Sequence, residues 1–206
     1  MILETVNVGP MQVNCYILAC AKGKAAIIID PGDQAPKISA VLEKHKLNPA
    51  MVINTHGHYD HIGCDDKFGP RVYVHSQDLA MLTDASQNLS ASFSLAYKVK
   101  SEIITLEDKQ IIKCDCLELE VIHLPGHTPG GIALLMKKPQ TNIIFTGDTL
   151  FYQGVGRTDL VGGSQLQLEK SIRERLFVLP GQTKVYPGHG AATTIENEKN
   201  NNPFIG

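Results

Sequence analysis

The chain has 206 residues, 43% of them hydrophobic and 19% charged, enough for one sizeable domain with a real core. A formal net charge of −2 argues against the basic footprint of a nucleic-acid or anionic-membrane partner. No apolar run approaches a bilayer span, and the start "MILETVNVGP" lacks a basic segment followed by an apolar one, so neither a membrane helix nor a leader is expected.

Strand-like runs come first: "QVNCYILAC" alternates loosely, and "AAIIID" is a short apolar run ending in a polar residue. "QAPKISAVLEKHKLNP" follows with Ile38, Val41, Leu42 and Leu47 at helical spacing, and Asn48-Pro49 is expected to end it. "AMVINT" is again a strand. A short helix at "DDKFG", a strand "RVYVH" and a helical "SQDLAMLTDA" make a second such unit. The Ser-rich "SQNLSASFSLAYKVKSE" reads as irregular. From Lys109 the strands "KQIIKCD", "CLELEVIHL", "GIALLMKK" and "TNIIFTGD" follow one another. "SQLQLEKSIRERLFVLPG" is an amphipathic helix with Leu166, Ile172, Leu176 and Phe177 as its apolar face. A last strand, "TKVYPGHG", leads to a short helical tail, "TTIENEKN". Strands in both halves with helices between them predict an α/β domain with sheets inside and helices outside.

Cys15, Cys20, Cys64, Cys114 and Cys116 are an odd number without a scaffold rhythm, so reduced, mostly buried thiols and a cytoplasmic location are expected.

The chemistry concentrates in "VINTHGHYDHIG". Three histidines and an aspartate, His56, His58, Asp60 and His61, fall within six residues of a chain that holds eight histidines in all. They follow an apolar strand, at the end where α/β folds gather ligands. Neutral imidazole and ionised carboxylate are the ligand set that suits zinc, iron and manganese. Gly57 is expected to let the backbone bend so that both flanking histidines face one point. The pattern recurs downstream in "LPGHTPGG" with His127, "IIFTGDTL" with Asp148 and "VYPGHG" with His189, each time a strand, a glycine and one potential ligand. Five histidines and two aspartates are too many for one tetrahedral ion. Divided into two sets of three with one carboxylate between, they suit two divalent ions that activate water for attack on an ester-like bond. His45 is expected to be a solvated helix residue, His75 and His123 to be structural or at the surface, and Cys64 to be a small core residue.

These residues resemble the metallo-β-lactamase superfamily, whose hallmark is a His-x-His-x-Asp-His loop, and its later hallmarks match in order. The resemblance spans nearly the whole chain. It implies an αββα sandwich, one metal at His56, His58 and His127, a second at Asp60, His61 and His189, and Asp148 as the bridge. Asp30 in "IIIDPGD" matches a carboxylate that orients a ligating histidine. Within the superfamily the chain looks most like glyoxalase II and its short relatives, through "THGHYDHIG", "HLPGHTPGG", "IFTGDTLF", "GVGRTD" and the tail "TTIENEKNNNPF". That likeness implies hydrolysis of a small-molecule thioester such as S-D-lactoylglutathione, with two ions of zinc, iron or manganese. Asp60 would take a proton from the attacking water while ligating.

Residues 1–206 are expected to form one domain without the helical glutathione-binding domain of the long enzymes. The tyrosine that follows their last metal histidine is absent, since "GHGAAT" holds small residues there. Arg157 stands where the long form has a lysine and, with Tyr59, is expected to face the substrate. The alternative of the same fold is a persulfide dioxygenase with one iron held by His56, His127 and Asp148.

Overall fold

The computed structural model describes residues 1–69 and 71–205; Pro70 and Gly206, the last residue of the expected domain, lie outside the described residues. Strand β2 (Val13–Ala19) pairs antiparallel with both β1 (Ile2–Val8) and β3 (Ala25–Ile29). Helix α1 (Ala35–His45) then crosses to β4 (Asn48–Ile53), parallel to β3. The one-turn helix α2 (Tyr59–Ile62) precedes β5 (Arg71–His75), and α3 (Leu79–Thr83) precedes β6 (Glu102–Leu106), both strands parallel additions. These six strands form one sheet in chain order.

The second sheet holds β7 (Ile111–Cys114), β8 (Leu117–His123), β9 (Ile132–Lys138) and β10 (Ile143–Gly147) as an antiparallel meander. A small hairpin, β11 (Leu150–Phe151) and β12 (Gly154–Val155), and helix α4 (Gln165–Ser171) follow. Then β13 (Lys184–Pro187) pairs parallel to β10, β14 (Thr193–Thr194) closes the edge, and α5 (Ile195–Asn201) ends the order.

Alternation along the strands builds the layers. Tyr16, Leu18, Ile27, Ile29 and Ile53 of the first sheet meet Leu119, Val121, Leu134 and Phe145 of the second. The residues between them, Cys15, Ile17 and Ile28, point outward and are covered by Ile38 and Leu42 of α1. On the far side, Ile122, Ala133, Ile144 and Val185 are covered by Leu168, Ile172 and Leu176. The helices thus cover most of the outer face of each sheet, which is why "AAIII" is a continuous apolar run and every residue of β2, Asn14 included, is buried. The result is the expected αββα sandwich. No helix among the described residues is long and apolar enough to cross a membrane.

Several local expectations change. Asn48-Pro49 does not end α1: the helix stops at Lys46, in the left-handed region, and Asn48 already belongs to β4. The face of α4 is set by Leu168, not Leu166, which is 78% exposed; a π-helical turn at Ile172–Leu176 continues the buried row. Strands β1 and β6 were not expected. His45 is not solvated on its own but pairs with Glu4 of β1. His75 and His123 are structural, their rings stacked at 4.0 Å.

The expectation of five free thiols is also corrected. Cys20, just past β2, and Cys116, in the β7–β8 turn, form a disulfide across 96 residues, with Cα atoms 5.8 Å apart. The turn at Asp115, with φ of 51°, swings Cys116 towards the first sheet. Cys15 and Cys114 stay free and buried, and Cys64 is free and half-buried rather than in the core.

Candidate metal centre

The parallel strands β3 and β4 end together, and β10 and β13 end opposite them across the sandwich. Loops leaving these ends, together with the β8–β9 loop, carry the candidate ligands. His56 and His58 follow β4, and α2 adds Asp60 and His61. His127 comes from the β8–β9 loop, Asp148 follows β10, and His189 follows β13.

Three overlapping groups could hold a metal ion, each with its ligand atoms within 4.8 Å of one another: His56, His58 and His127; His56, His61 and Asp148; Asp60, His61 and His189. The seven expected residues therefore form one continuous patch. Asp148 stands in the middle, with Oδ1 3.4 Å from His61 Nε2 and Oδ2 3.7 Å from His127 Nε2 and 3.4 Å from His189 Nε2. Asp60 Oδ2 lies 3.7 Å from His61 Nε2 and 3.5 Å from His189 Nε2.

The hydrogen bonds around the patch decide which nitrogens face inward. His127 Nδ1 donates to the Arg157 carbonyl at 2.7 Å, His189 Nδ1 to the Met11 carbonyl at 2.9 Å, and His61 Nδ1 to Asp30 Oδ2 at 3.0 Å. With Nδ1 engaged in this way, each Nε2 points into the patch. His61 Nε2 and His189 Nε2 then face each other at 3.3 Å, and His127 Nε2 faces His58 Nδ1 at 2.9 Å. Each of these nitrogens is a potential metal donor, and a cation between them would satisfy both. His56 Nε2 and Asp148 Oδ1 are buried with no hydrogen-bond partner at all, a condition that costs about 1–3 kcal/mol per atom unless something else satisfies it. The donor set therefore fits divalent metal ions.

Electrostatics agree. Burial, helped by the neighbouring imidazoles, pushes His56 well below its usual range and His58 to about 3, so both are neutral. At His61 burial opposes charge, but Asp148, Asp60 and Asp30 outweigh it and raise the pKa. His189 rises to about 9 because its contacts with Asp148 and Asp60 overcome burial. Burial also works against the charge of Asp148 and Asp60, and the imidazoles beside them still hold both carboxyls below the usual range. The carboxylates call for positive charge at the point where a cation would sit.

Asp30 is placed as expected. It sits at the end of β3 with φ of 52° and accepts from Thr55 N and Thr55 Oγ1, both at 2.7 Å, besides His61. Thr55 Oγ1 in turn lies 3.2 Å from His56 Nδ1, so one carboxylate braces two of the histidines. The glycines next to the ligands serve mainly as space. A Cβ on Gly188 would lie 2.1 Å from Asp148 Oδ1, inside the patch itself. Gly57 is not needed for bending: a Cβ there would meet Met81 Cβ of α3 at 2.5 Å, so close packing excludes a side chain. Tyr59 and Arg157 both line the cavity of about 370 Å³ over the patch. The Arg157 guanidinium, however, holds Asp159 with two 2.7 Å hydrogen bonds and is 62% exposed.

Sequence reading missed two supports. Asp78, fully buried, accepts from Gly57 N at 3.0 Å and Thr128 Oγ1 at 2.7 Å through Oδ2, and from Gly130 N at 2.6 Å through Oδ1. It ties the His56–His58 loop to the His127 loop. Asn14 of β2 donates through Nδ2 to the carbonyls of Pro187 at 3.0 Å and Gly190 at 2.9 Å, fixing the His189 loop from both sides. The buried Glu198 carboxylate takes Thr193 Oγ1 at 2.6 Å and Gln153 N at 2.9 Å, which gives the polar tail its role of anchoring α5 to the β11–β12 hairpin.

A family model described as the metallo-beta-lactamase superfamily matches residues 8–189, and the chain belongs to that superfamily. It is 34% identical over 211 residues to a Haemophilus influenzae protein named hydroxyacylglutathione hydrolase GloC, covering 100% of this chain and 98% of that one. Among solved structures, the BLEG-1 B3 metallo-beta-lactamase superposes with a TM-score of 0.91 at 34% identity over 99% of both chains. TTHA1623 in a di-iron-bound form gives 0.85 at 34% identity, over 98% of this chain and 100% of that one.

Proposed function

We propose that the protein is a two-metal hydrolase of thioesters, acting on S-D-lactoylglutathione or a related acyl-thiol. The observation that carries this reading is the position of Asp148, whose oxygens face His61, His127 and His189 at 3.4–3.7 Å, between the two outer ligand groups. His56, His58 and His127 would hold one ion and Asp60, His61 and His189 the other, with zinc, iron or manganese suited to the donors. Such ions polarise a carbonyl and lower the pKa of water.

The chain's own residues supply the rest. Asp60 borders the cavity and stays ionised, so it can accept the proton of an attacking water. Asp30 and the Met11 and Arg157 carbonyls hold the imidazoles with Nε2 inward. Tyr59 walls the cavity beside Asp60. A thiolate leaves without needing a strong acid, which matches a cavity whose ionisable lining is mainly imidazole and carboxylate. The name of the Haemophilus relative and the di-iron form of TTHA1623 support the substrate class and the metal count. The similarity to BLEG-1 favours a second reading, β-lactam hydrolysis at the same centre.

The test is hydrolysis by metal-reconstituted protein with and without oxygen. Equal S-D-lactoylglutathione turnover in both, with little cleavage of a chromogenic cephalosporin, is expected. Oxygen uptake with glutathione persulfide and no thioester turnover would overturn the reading in favour of a one-iron dioxygenase.

A further inference from the structure

We infer that an apolar groove beside the metal cavity receives the acyl chain of the substrate, and that a neutral hydrocarbon chain of medium length is turned over better than a short hydroxyacyl group such as lactoyl. The inference rests on the thioester reading above and narrows it.

The groove has a volume of about 200 Å³. Val8 and Val13, each 1% exposed, form its floor at the β1–β2 turn. Met11, Phe93 and Leu95 form its rim and are 42%, 55% and 43% exposed. Large apolar side chains gathered at the mouth of a reactive cavity mark a binding surface more often than chance exposure does. Met11, Tyr59, Asp60 and Phe93 line both the groove and the metal cavity, so the two are continuous.

Charge sets the orientation. The charged groups bordering the groove are Asp33 and Asp60, both carboxylates, which repel an anionic substrate arm. Among the described residues lining the metal cavity, Arg157 is the one Lys or Arg. Repelled by Asp33, an anionic thiol carrier therefore lies on the Arg157 side of the metal cavity, away from the groove, and the acyl chain towards Met11 and Leu95. Filled at the ~30 Å³ that a water-sized group occupies, the groove holds about six methylenes, which suits an acyl chain of hexanoyl to octanoyl length.

Each methylene moved from water into such a groove is worth up to about a fourfold gain, reduced here by the open rim. For S-acylglutathiones from acetyl to dodecanoyl, kcat/KM of the metal-loaded protein should rise about twofold to fourfold per methylene up to about octanoyl and then level off. Leu95→Asp and Phe93→Ala, both at exposed positions, should flatten that slope. S-alkylglutathione thioethers, which cannot be hydrolysed, should show the same length dependence in binding by calorimetry, and the same loss in Leu95→Asp. A flat series in both turnover and binding, or a slope that survives Leu95→Asp, overturns the groove assignment. A dependence on the length of the thiol instead of the acyl chain overturns the orientation. If no thioester turns over, the hydrolase reading fails by itself, and the thioether titration still decides whether the groove takes alkyl chains.

Discussion

Asp78→Asn is the most informative single change, because it leaves the volume nearly constant and alters only the hydrogen bonds. The carboxylate accepts three donors, from Gly57, Thr128 and Gly130, at 2.6–3.0 Å in a fully buried setting. Burial raises its pKa, and these three donors offset only part of that rise. An amide oxygen placed where Oδ2 sits keeps Gly57 N and Thr128 Oγ1, but its NH2 then confronts Gly130 N–H. One charged hydrogen bond worth about 1.5–3 kcal/mol is lost and a buried donor is left unpaired at about 1–3 kcal/mol, so a loss of ~3–5 kcal/mol is expected. The damage falls on the hinge between the His56–His58 loop and the His127 loop. Changes to such outer partners typically weaken metal binding by about tenfold to a hundredfold. The His56, His58 and His127 group should lose this affinity, whereas His61 and His189, held by Asp30 and the Met11 carbonyl, should lose much less. Competition with a chromophoric chelator resolves two steps of metal loss, and thermal melting of chelated protein gives the stability. Wild-type melting together with two wild-type dissociation constants would refute the reasoning.

Other outcomes follow from the same contacts. Asp30→Ala strands Thr55 N, Thr55 Oγ1 and His61 Nδ1, and should weaken the Asp60, His61 and His189 group by about tenfold to a hundredfold in the same competition assay. Arg157→Ala should raise KM for S-D-lactoylglutathione by less than about tenfold with kcat kept, because the exposed guanidinium is already paired with Asp159 while the main-chain carbonyl orients His127; a collapse of kcat would contradict it. The Glu4 carboxyl is held below its ordinary 4.5 by hydrogen bonds from His45 and Lys44. A lowered pKa stabilises the fold above the ordinary value and is lost as pH falls through the folded value. Glu4→Gln should therefore cost less than about 1 kcal/mol at pH ~6, given the exposure of the pair, and nothing well below pH ~4.5, as read by denaturant melts at both.

The α/β class and the seven candidate ligands were legible because local patterns carry them, whereas the αββα arrangement was legible through the family resemblance of those motifs. After the histidine loop, a strand leading into a glycine and a candidate ligand recurs three times, at His127, Asp148 and His189. Strand β1 escaped because Ile2, Leu3 and Glu4 are only partly buried and Thr5 and Asn7 are exposed, so Val6 and Val8 are the only buried apolar positions in "ILETVNV". Strand β6 is a five-residue edge behind an irregular stretch. The Cys20–Cys116 pair depends on how the two sheets stack, which no spacing encodes. Asp78 looks in sequence like an ordinary carboxylate at a helix start, and its three donors are mostly backbone groups of distant loops. The carbonyls of Met11 and Arg157 carry no sequence signature at all. Arg157 was singled out for its side chain, and the structure shows its main chain touching the site.

The most direct test of the proposed two-metal centre is the ratio of metal to protein, measured by plasma emission after reconstitution with excess zinc or iron and removal of unbound ions. Two ions per wild-type chain are expected, with Asp148→Ala falling to one or fewer, because that carboxylate is the group that faces both clusters. A saturated wild-type protein that holds a single ion, with Asp60→Ala and His189→Ala holding just as much, would contradict it.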